Sequence, residues 1–235
     1  MAAMLYEQAR FRLSGDRTLL VEYGDGIDIA VNEKVRAMTA LLRKNHPAGV
    51  ESIVPAYRSL AICYDPLATS PARLAEVLLA LETDLPTAEV AAFKVVPIPV
   101  CYGGELGPDI SVVAEHTGLK EEEVVAIHSS VDYPIYMIGF TPGFCYLGGL
   151  DPRLQTPRRK TPRTNLPAGS VGIAESQTGM YPIDSPGGWQ IIGRTPLLLF
   201  APARENPFLY EAGDRIRFVP ISGAEFRRLH EKETS

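Results

Sequence analysis

Several groups of side chains in this sequence could take part in chemistry. His128 is followed by Ser129, Ser130 and Asp132, so the residue types of a proton relay lie within five positions. Neighbouring residues in a strand point to opposite faces, and single histidines are often structural. The sequence therefore leaves two interpretations of His128, a general acid or base and a buried structural residue.

A glycine-rich stretch precedes Asp109. Residues 102–109 read Tyr-Gly-Gly-Glu-Leu-Gly-Pro-Asp, with Tyr102 at the start and a helix-capping residue type at the end. Backbone N–H groups of such a loop can hold an anion, although the spacing matches neither a Walker loop nor GxGxxG. A tight turn that leads into a helix explains the same residues.

A basic segment lies between Asp151 and Asn165, inside a chain whose net charge is −5. It contains five cations against one acid: Arg153, Arg158, Arg159, Lys160 and Arg163. Guanidinium groups match carboxylates and phosphates bidentately, so Arg158, Arg159 and Arg163, together with Arg194, are candidate anion-binding residues. A solvated loop or a docking patch for an acidic partner fits the charge equally well.

The run from Gln177 to Trp189 combines amide, hydroxyl and aromatic side chains with glycines, a composition that suits the lip of a pocket. A plain hairpin, with the tryptophan inside a barrel, is the alternative. Cys145 has no activating partner in the sequence, which predicts a buried thiol.

The elements that must position these residues fall into two patterns. Before residue 94, β-prone runs at 10–13, 18–23, 50–56 and 59–64 alternate with helical stripes at 31–42 and from Ser70-Pro71 to Pro86. They predict an α+β sandwich with its helices on one face of a sheet. Later residues predict helices at 109–118, 121–127 and 222–233. Strands are predicted at 135–140, 170–174, 180–183, 189–192, 197–200 and 215–221, which indicates a β-barrel.

Composition narrows the classes of function. The 235 residues favour two domains over one, which we place at 1–93 and 94–235. An acidic chain does not favour nucleic-acid binding, and three scattered cysteines predict neither a disulfide framework nor a metal site. The sequence shows no signal peptide and no apolar run of about 18 residues, so we expect a cytoplasmic protein that is not embedded in a membrane.

The motifs together resemble a known family, the one that includes allophanate hydrolase subunit 1, KipI and the 5-oxoprolinase subunit PxpB. The resemblance rests on segments spread over nearly the whole chain: 54–60, 100–109, 128–129, 137–150, 157–163, 167–173, 177–179 and 185–197. It implies a small N-terminal α+β domain followed by a cyclophilin-like β-barrel.

The resemblance also implies a function. Relatives of this type pair with an allophanate hydrolase subunit 2-like (PxpC- or KipA-like) subunit and, in bacterial 5-oxoprolinase, with a PxpA-like subunit. That complex opens the lactam of 5-oxoproline to glutamate with ATP, and we expect magnesium to accompany the nucleotide. The chain lacks the Ala-Met-Lys-Met segment that accepts biotin. The alternative is a KipI-like regulator that inhibits a sensor histidine kinase.

On this hypothesis ATP activates the lactam oxygen, water attacks, and the basic segment neutralises the developing charge. His128 or Asp109 then acts as acid or base. The residues expected to bind substrate or nucleotide are Tyr102, Arg158, Arg159, Arg163, Gln177, Tyr181 and Arg194.

Overall fold

The chain forms two compact units, each with its own hydrophobic core. The structure is a computed structural model that describes residues 4–87 and 92–234. The units comprise Met1–Ala92 and Phe93–Ser235. Each is described by itself below.

The first unit is a four-stranded antiparallel sheet with two helices. In chain order its elements are β1 (Leu5–Leu13), β2 (Thr18–Gly24), α1 (Ile29–Asn45), β3 (Val50–Pro55), β4 (Ser59–Tyr64) and α2 (Pro71–Leu81), followed by a 3₁₀ helix at Glu82–Thr87. The strands lie in the order β1-β2-β4-β3. The apolar stripe of α1, which includes Val35 and Met38, packs with Leu60 and Ile62 of β4 in one core.

Local sequence signals explain where these helices begin. The Asp28 side chain accepts a hydrogen bond from the Ala30 N–H at the start of α1. Ser70 does the same for Arg73 at the start of α2, and Pro71 occupies the first turn, where its missing N–H costs nothing. The predicted α+β class is confirmed.

The second unit is a closed seven-stranded barrel with additional helices and a separate two-stranded sheet. Its elements are β5 (Val95–Tyr102), α3 (Ile110–Thr117), α4 (Glu121–His128), β6 (Asp132–Ile138), β7 (Cys145–Leu147), a 3₁₀ helix (Pro152–Leu154), β8 (Arg163–Leu166), β9 (Ser170–Ala174), β10 (Gln177–Met180), β11 (Ser185–Gly187), β12 (Gln190–Arg194), β13 (Arg215–Pro220) and α5 (Gly223–Thr234). The barrel order is β10-β7-β6-β13-β5-β12-β9, and β8 pairs with β11 outside it. The predicted barrel is therefore confirmed.

Two faces of the barrel wall carry different side chains. Cys145, Leu147 and Ile192 point into the main core of the unit. Tyr146 and Ile191, their neighbours in β7 and β12, belong to a separate apolar cluster with Trp189. Because strand neighbours alternate between faces, this second cluster lies on the outer side of the wall. The candidate site is built there.

Two predicted strands are wrong. The strand predicted at 180–183 ends at Met180, because Pro182 has no N–H to donate to a ladder. The segment predicted at 197–200 is not a strand. Its Leu197 and Leu198 N–H groups bond to the side chains of Thr195 and Glu233, and only Phe200 forms an isolated bridge.

Candidate functional site

A pocket of about 290 Å³ lies on the outer side of the barrel wall. Its walls come from the loop before β7, from β7, β10 and β11, and from the segment before β8. The lining residues are Phe140, Phe144, Tyr146, Arg158, Gln177, Tyr181, Pro186, Gly187, Gly188 and Trp189. Small-molecule sites commonly combine such apolar walls with a few polar groups.

Phe144 is the centre of an aromatic wall. Its ring meets Tyr146, Tyr181 and Trp189 edge to face, with centroid distances of 5.0, 5.6 and 5.8 Å. Tyr181 and Trp189 also meet each other at 6.2 Å. This geometry is favourable for aromatic pairs and holds the rings in place. The wall therefore offers a fixed apolar surface to a small ring or aliphatic ligand.

The Tyr181 hydroxyl is a protonated donor at neutral pH. Burial raises the pKa of Tyr181 to about 12, against the opposing effects of the Arg158 charge and a backbone hydrogen bond at Trp189. Gly187 lies close to this hydroxyl. A Cβ added at Gly187 would be 2.5 Å from the Tyr181 oxygen. Glycine at this position keeps the pocket open beside the hydroxyl.

Arg158 is the cation of the pocket. Its side chain is exposed, and among the residues that the structure describes no carboxylate lies within ion-pair distance of it. Gln177, at the start of β10, contributes an amide to the same pocket. The structure thus brings together three of the predicted binding residues: Arg158, Gln177 and Tyr181.

Phe140 forms part of the rim. Its side chain is 72% exposed and meets Phe144 edge to face at 5.8 Å. Its φ of 70° is in the left-handed region, which is uncommon for a residue with a side chain. Together with Phe144 and Tyr146 it was not among the predicted site residues. The three aromatic residues within the seven positions 140–146 are the sequence signal for this rim.

Arg159 and Arg163 do not line the pocket but bind the buried carboxylate of Asp109. Arg159 Nη1 lies 3.0 Å from Asp109 Oδ1, and Arg163 donates from both terminal nitrogens at 2.7 and 2.8 Å. The ion pair holds the pKa of Arg163 above its usual value. A fourth donor, the Ile191 backbone N–H, lies 2.7 Å from Oδ2. The three predicted residues are thus engaged with one another.

The position of Asp109 in the sequence suggested that its side chain caps α3. The side chain makes no such capping hydrogen bond. The glycine-rich loop before it is likewise engaged internally. The N–H groups of Gly103 and Asp109 donate to Ile192 and Ile191, and Gly107 N–H donates to Gly103. These three N–H groups are not free to hold an anion, so the loop is a tight turn packed against β12.

His128 is fully buried and lies between two hydroxyls. Its Nδ1 is 2.8 Å from the Tyr102 hydroxyl, and its Nε2 is 2.8 Å from Thr178 Oγ1. Thr178 donates its own hydrogen to the Gly172 carbonyl, so Nε2 carries the proton and Nδ1 accepts from Tyr102. Burial lowers the pKa of His128 to about 3. The ring also stacks on Phe218 at 4.5 Å.

His128, Tyr102 and Arg194 lie away from the pocket. The Tyr102 hydroxyl is used by His128, and burial raises its pKa well above the ordinary value. Arg194 Nε donates to the Ala168 carbonyl at 2.8 Å. Burial lowers the pKa of Arg194. Cys145 is buried inside the barrel and its pKa is raised by burial to about 12, in agreement with the predicted inert thiol.

Comparison with known proteins identifies the family. Residues 9–210 match the family described as "Carboxyltransferase domain, subdomain C and D". The chain is 41% identical over 228 residues to the 5-oxoprolinase B subunit of Bacillus subtilis, covering 93% of this chain and 95% of that protein. The chain belongs to this carboxyltransferase-domain family.

Other similar proteins match over part of their length. The 5-oxoprolinase B subunit of Escherichia coli O157:H7 is 58% identical over 127 residues, which is 54% of this chain and 58% of that protein. The crystal structure of TTHA0988 superposes with a TM-score of 0.77 and 38% identity. The match covers 88% of this chain and 40% of that structure, so this chain spans less than half of that longer protein.

Two other classes of site find no support in the described residues, 4–87 and 92–234. They contain no group of three or more His, Cys, Asp or Glu side chains placed to hold a metal ion. None of their helices is both long enough and apolar enough to cross a membrane.

Proposed function

We propose that this chain is a subunit of a heteromeric ATP-dependent 5-oxoprolinase and that its outer pocket binds 5-oxoproline. The observation that supports this function is Arg158, a guanidinium that lies beside a fixed aromatic wall and has no ion-pair partner among the described residues. The Bacillus subtilis and Escherichia coli relatives are 5-oxoprolinase subunits, which supports the class of enzyme but not the position of the substrate. 5-Oxoproline has a carboxylate, a lactam amide and a small apolar ring, and the pocket offers a complementary group to each.

In the proposed complex Arg158 binds the carboxylate bidentately. The ring carbons lie against Phe144 and Trp189. The lactam faces the Gln177 amide and the Tyr181 hydroxyl, which donates because it is protonated at neutral pH. A pocket of about 290 Å³ is close to the small end of ligand sites, which suits so small a substrate.

The net reaction adds water across the lactam C–N bond and yields glutamate. The described residues do not fit magnesium–ATP. The Gly103, Gly107 and Asp109 N–H groups are used internally, the pocket has one lining cation, and its lining includes no carboxylate that could hold magnesium. We therefore place the nucleotide on a partner subunit and assign no step of nucleotide chemistry to this chain.

The proposed partners are an allophanate hydrolase subunit 2-like subunit and a PxpA-like subunit. Both named bacterial relatives are themselves single components of a multi-subunit enzyme, as their names state. In TTHA0988 the matched region is 40% of a longer chain, which is consistent with a neighbouring domain that other members supply as a separate subunit.

The test is ATP-dependent release of glutamate from 5-oxoproline by the reconstituted subunits. We expect Arg158→Ala to raise the KM for 5-oxoproline by about 10- to 100-fold, because hydrogen bonds to charged groups contribute about 1.5–3 kcal/mol. Lys160→Ala is the matched control. It removes an exposed cation from the same segment that does not line the pocket.

Equal KM values for the two variants and the unmodified complex would place the substrate elsewhere. Absence of glutamate from every combination of properly assembled subunits would contradict the oxoprolinase function. Inhibition of a sensor histidine kinase by the chain is then the activity to measure.

A further inference from the structure

We propose that Asp109 is a positioning residue, which fixes Arg158 at the pocket by anchoring the segment of residues 157–163 to β12. The proposal rests on the proposed function, in which Arg158 binds the substrate carboxylate. Asp109 itself does not line the pocket. It acts through the two arginines that it binds.

The Asp109 carboxylate is saturated with donors. Oδ1 accepts from Arg159 Nη1 and Arg163 Nη2, and Oδ2 accepts from Arg163 Nη1 and the Ile191 N–H. An ionised carboxylate has about four lone-pair sites, so this set fills them. A carboxylate in this state has no site left for a substrate proton. The arrangement therefore favours a structural anchor over the acid or base role that the sequence suggested for Asp109.

The backbone is held by hydrogen bonds immediately before and immediately after Arg158. The preceding carbonyl, of Pro157, accepts from Gln190 Nε2 at 3.0 Å. The following N–H, of Arg159, donates to the Gly188 carbonyl at 2.8 Å. Arg163 lies opposite Gly187 in the β8–β11 pair. The partners in these three contacts are Gln190, Gly188 and Gly187, which lie within or next to the pocket wall.

The backbone on both sides of Arg158 is thus held, while its side chain has no ion-pair partner in the part of the chain that the structure describes. Asp109 supplies the charge in this arrangement, since it is the buried anion that holds Arg159 and Arg163 against Ile191. Loss of that charge leaves two guanidinium groups together without their anion, and mutual repulsion displaces the segment. The position of the Arg158 guanidinium relative to Trp189 then changes. A displacement of about 1 Å at a binding group can reduce catalysis by as much as about 100-fold.

The first test is a double-mutant cycle in the reconstituted complex, with the KM for 5-oxoproline as the measured quantity. We expect Asp109→Asn to raise KM by about 10-fold or more when Arg158 is present, with a smaller change in kcat. In the Arg158→Ala background the same substitution should change KM by less than about twofold. Equal effects of Asp109→Asn in both backgrounds would overturn the proposal.

The matched control is Asp151→Asn. It also removes a carboxylate that binds an arginine, Arg153, but the pair is exposed and does not line the pocket. We expect this variant to keep the KM of the unmodified complex. If Asp109→Asn does not fold, Arg159→Met provides the same cycle, since it leaves the Asp109–Arg163 pair in place.

The second test needs no ligand. Amide hydrogen exchange of the peptide covering residues 157–163 should be faster in Asp109→Asn than in Asp151→Asn, while the barrel strands keep their protection. Unchanged exchange contradicts the anchor. Faster exchange, combined with a normal KM for Arg158→Ala, retains the anchor and rejects the substrate assignment, so the two failures are distinguishable.

Discussion

Arg158 differs from the other arginines of its segment, Arg153, Arg159 and Arg163, in that they bind carboxylates. The sequence shows the cluster of cations but not how they pair. Arg153 binds its near neighbour Asp151, whereas Arg159 and Arg163 bind Asp109, about fifty positions earlier. That pairing depends on how α3 and β12 meet in space. Single-residue properties therefore predict an anion site in this segment but cannot show that Arg158, rather than Arg159 or Arg163, lines the pocket.

His128 shows the same limit and gives a prediction on pH. Burial lowers its pKa from 6.5 to about 3. Between these values the unfolded chain binds a proton at this position and the folded chain does not. The stability contribution of neutral His128 is therefore complete above pH 6.5 and is lost as pH falls, by at most about 1.4 kcal/mol per pH unit.

Urea unfolding between pH 7 and pH 4, followed by the fluorescence of Trp189, measures this effect. We expect His128→Gln to show a shallower loss of the free energy of unfolding than the unmodified chain. His116→Gln, which changes an exposed histidine of α3, is the control and should keep the original slope. Parallel slopes for all three proteins would mean that His128 does not titrate differently in the folded state.

Elements whose signals are local were predicted most accurately. Ser70 and Pro71 mark the start of α2, and Gly118 ends α3 in the left-handed conformation. β5 is different, because Pro97 and Pro99 suggest an interruption. β5 forms nevertheless. At Pro97 and Pro99 it pairs with β13, whereas it pairs with β12 further along, at Cys101 and Tyr102. Pairing partners, rather than local composition, decide such a strand.

The loop between β5 and α3 gives a prediction at this scale. A Cβ at Gly107 would lie 2.1 Å from the Ile192 carbonyl oxygen, which no rotamer can relieve. We expect Gly107→Ala to lower the free energy of unfolding by about 3 kcal/mol or more. Gly104→Ala is the control. Its φ of 55° is strained for alanine but the space is open, so the cost should be about 1 kcal/mol.

Chemical denaturation with equilibrium fluorescence distinguishes the two glycines. A similar cost for both substitutions would show that the close contact between residue 107 and β12 relaxes at little cost. The approach matters for the site, because the same strand carries the Ile191 N–H that binds Asp109.

At the scale of the whole molecule, two separate cores predict two responses to mutation. Met38 lies in the core of the first unit and Ile216 in that of the second. The single tryptophan, Trp189, lies in the second unit, so its fluorescence reports on that unit. Truncation of such buried side chains to alanine costs about 2–5 kcal/mol.

We therefore expect Met38→Ala to give an early unfolding transition by far-UV circular dichroism that the fluorescence of Trp189 does not show. Ile216→Ala should shift the fluorescence transition itself to lower denaturant. Coincident transitions in Met38→Ala, by both probes, would show that the whole chain unfolds as one cooperative unit.

The sequence predicted a barrel in the second half, but not the order of its strands. The closing contact joins β5 to β13, the first and last barrel strands along the chain, in parallel from Val95–Arg215 to Val100–Pro220. During synthesis, β5 leaves the ribosome long before its partner exists. The ring closes only when nearly all of the unit has emerged, and until then its strand edges can pair with other chains. The risk of such mispairing is thus greatest during translation.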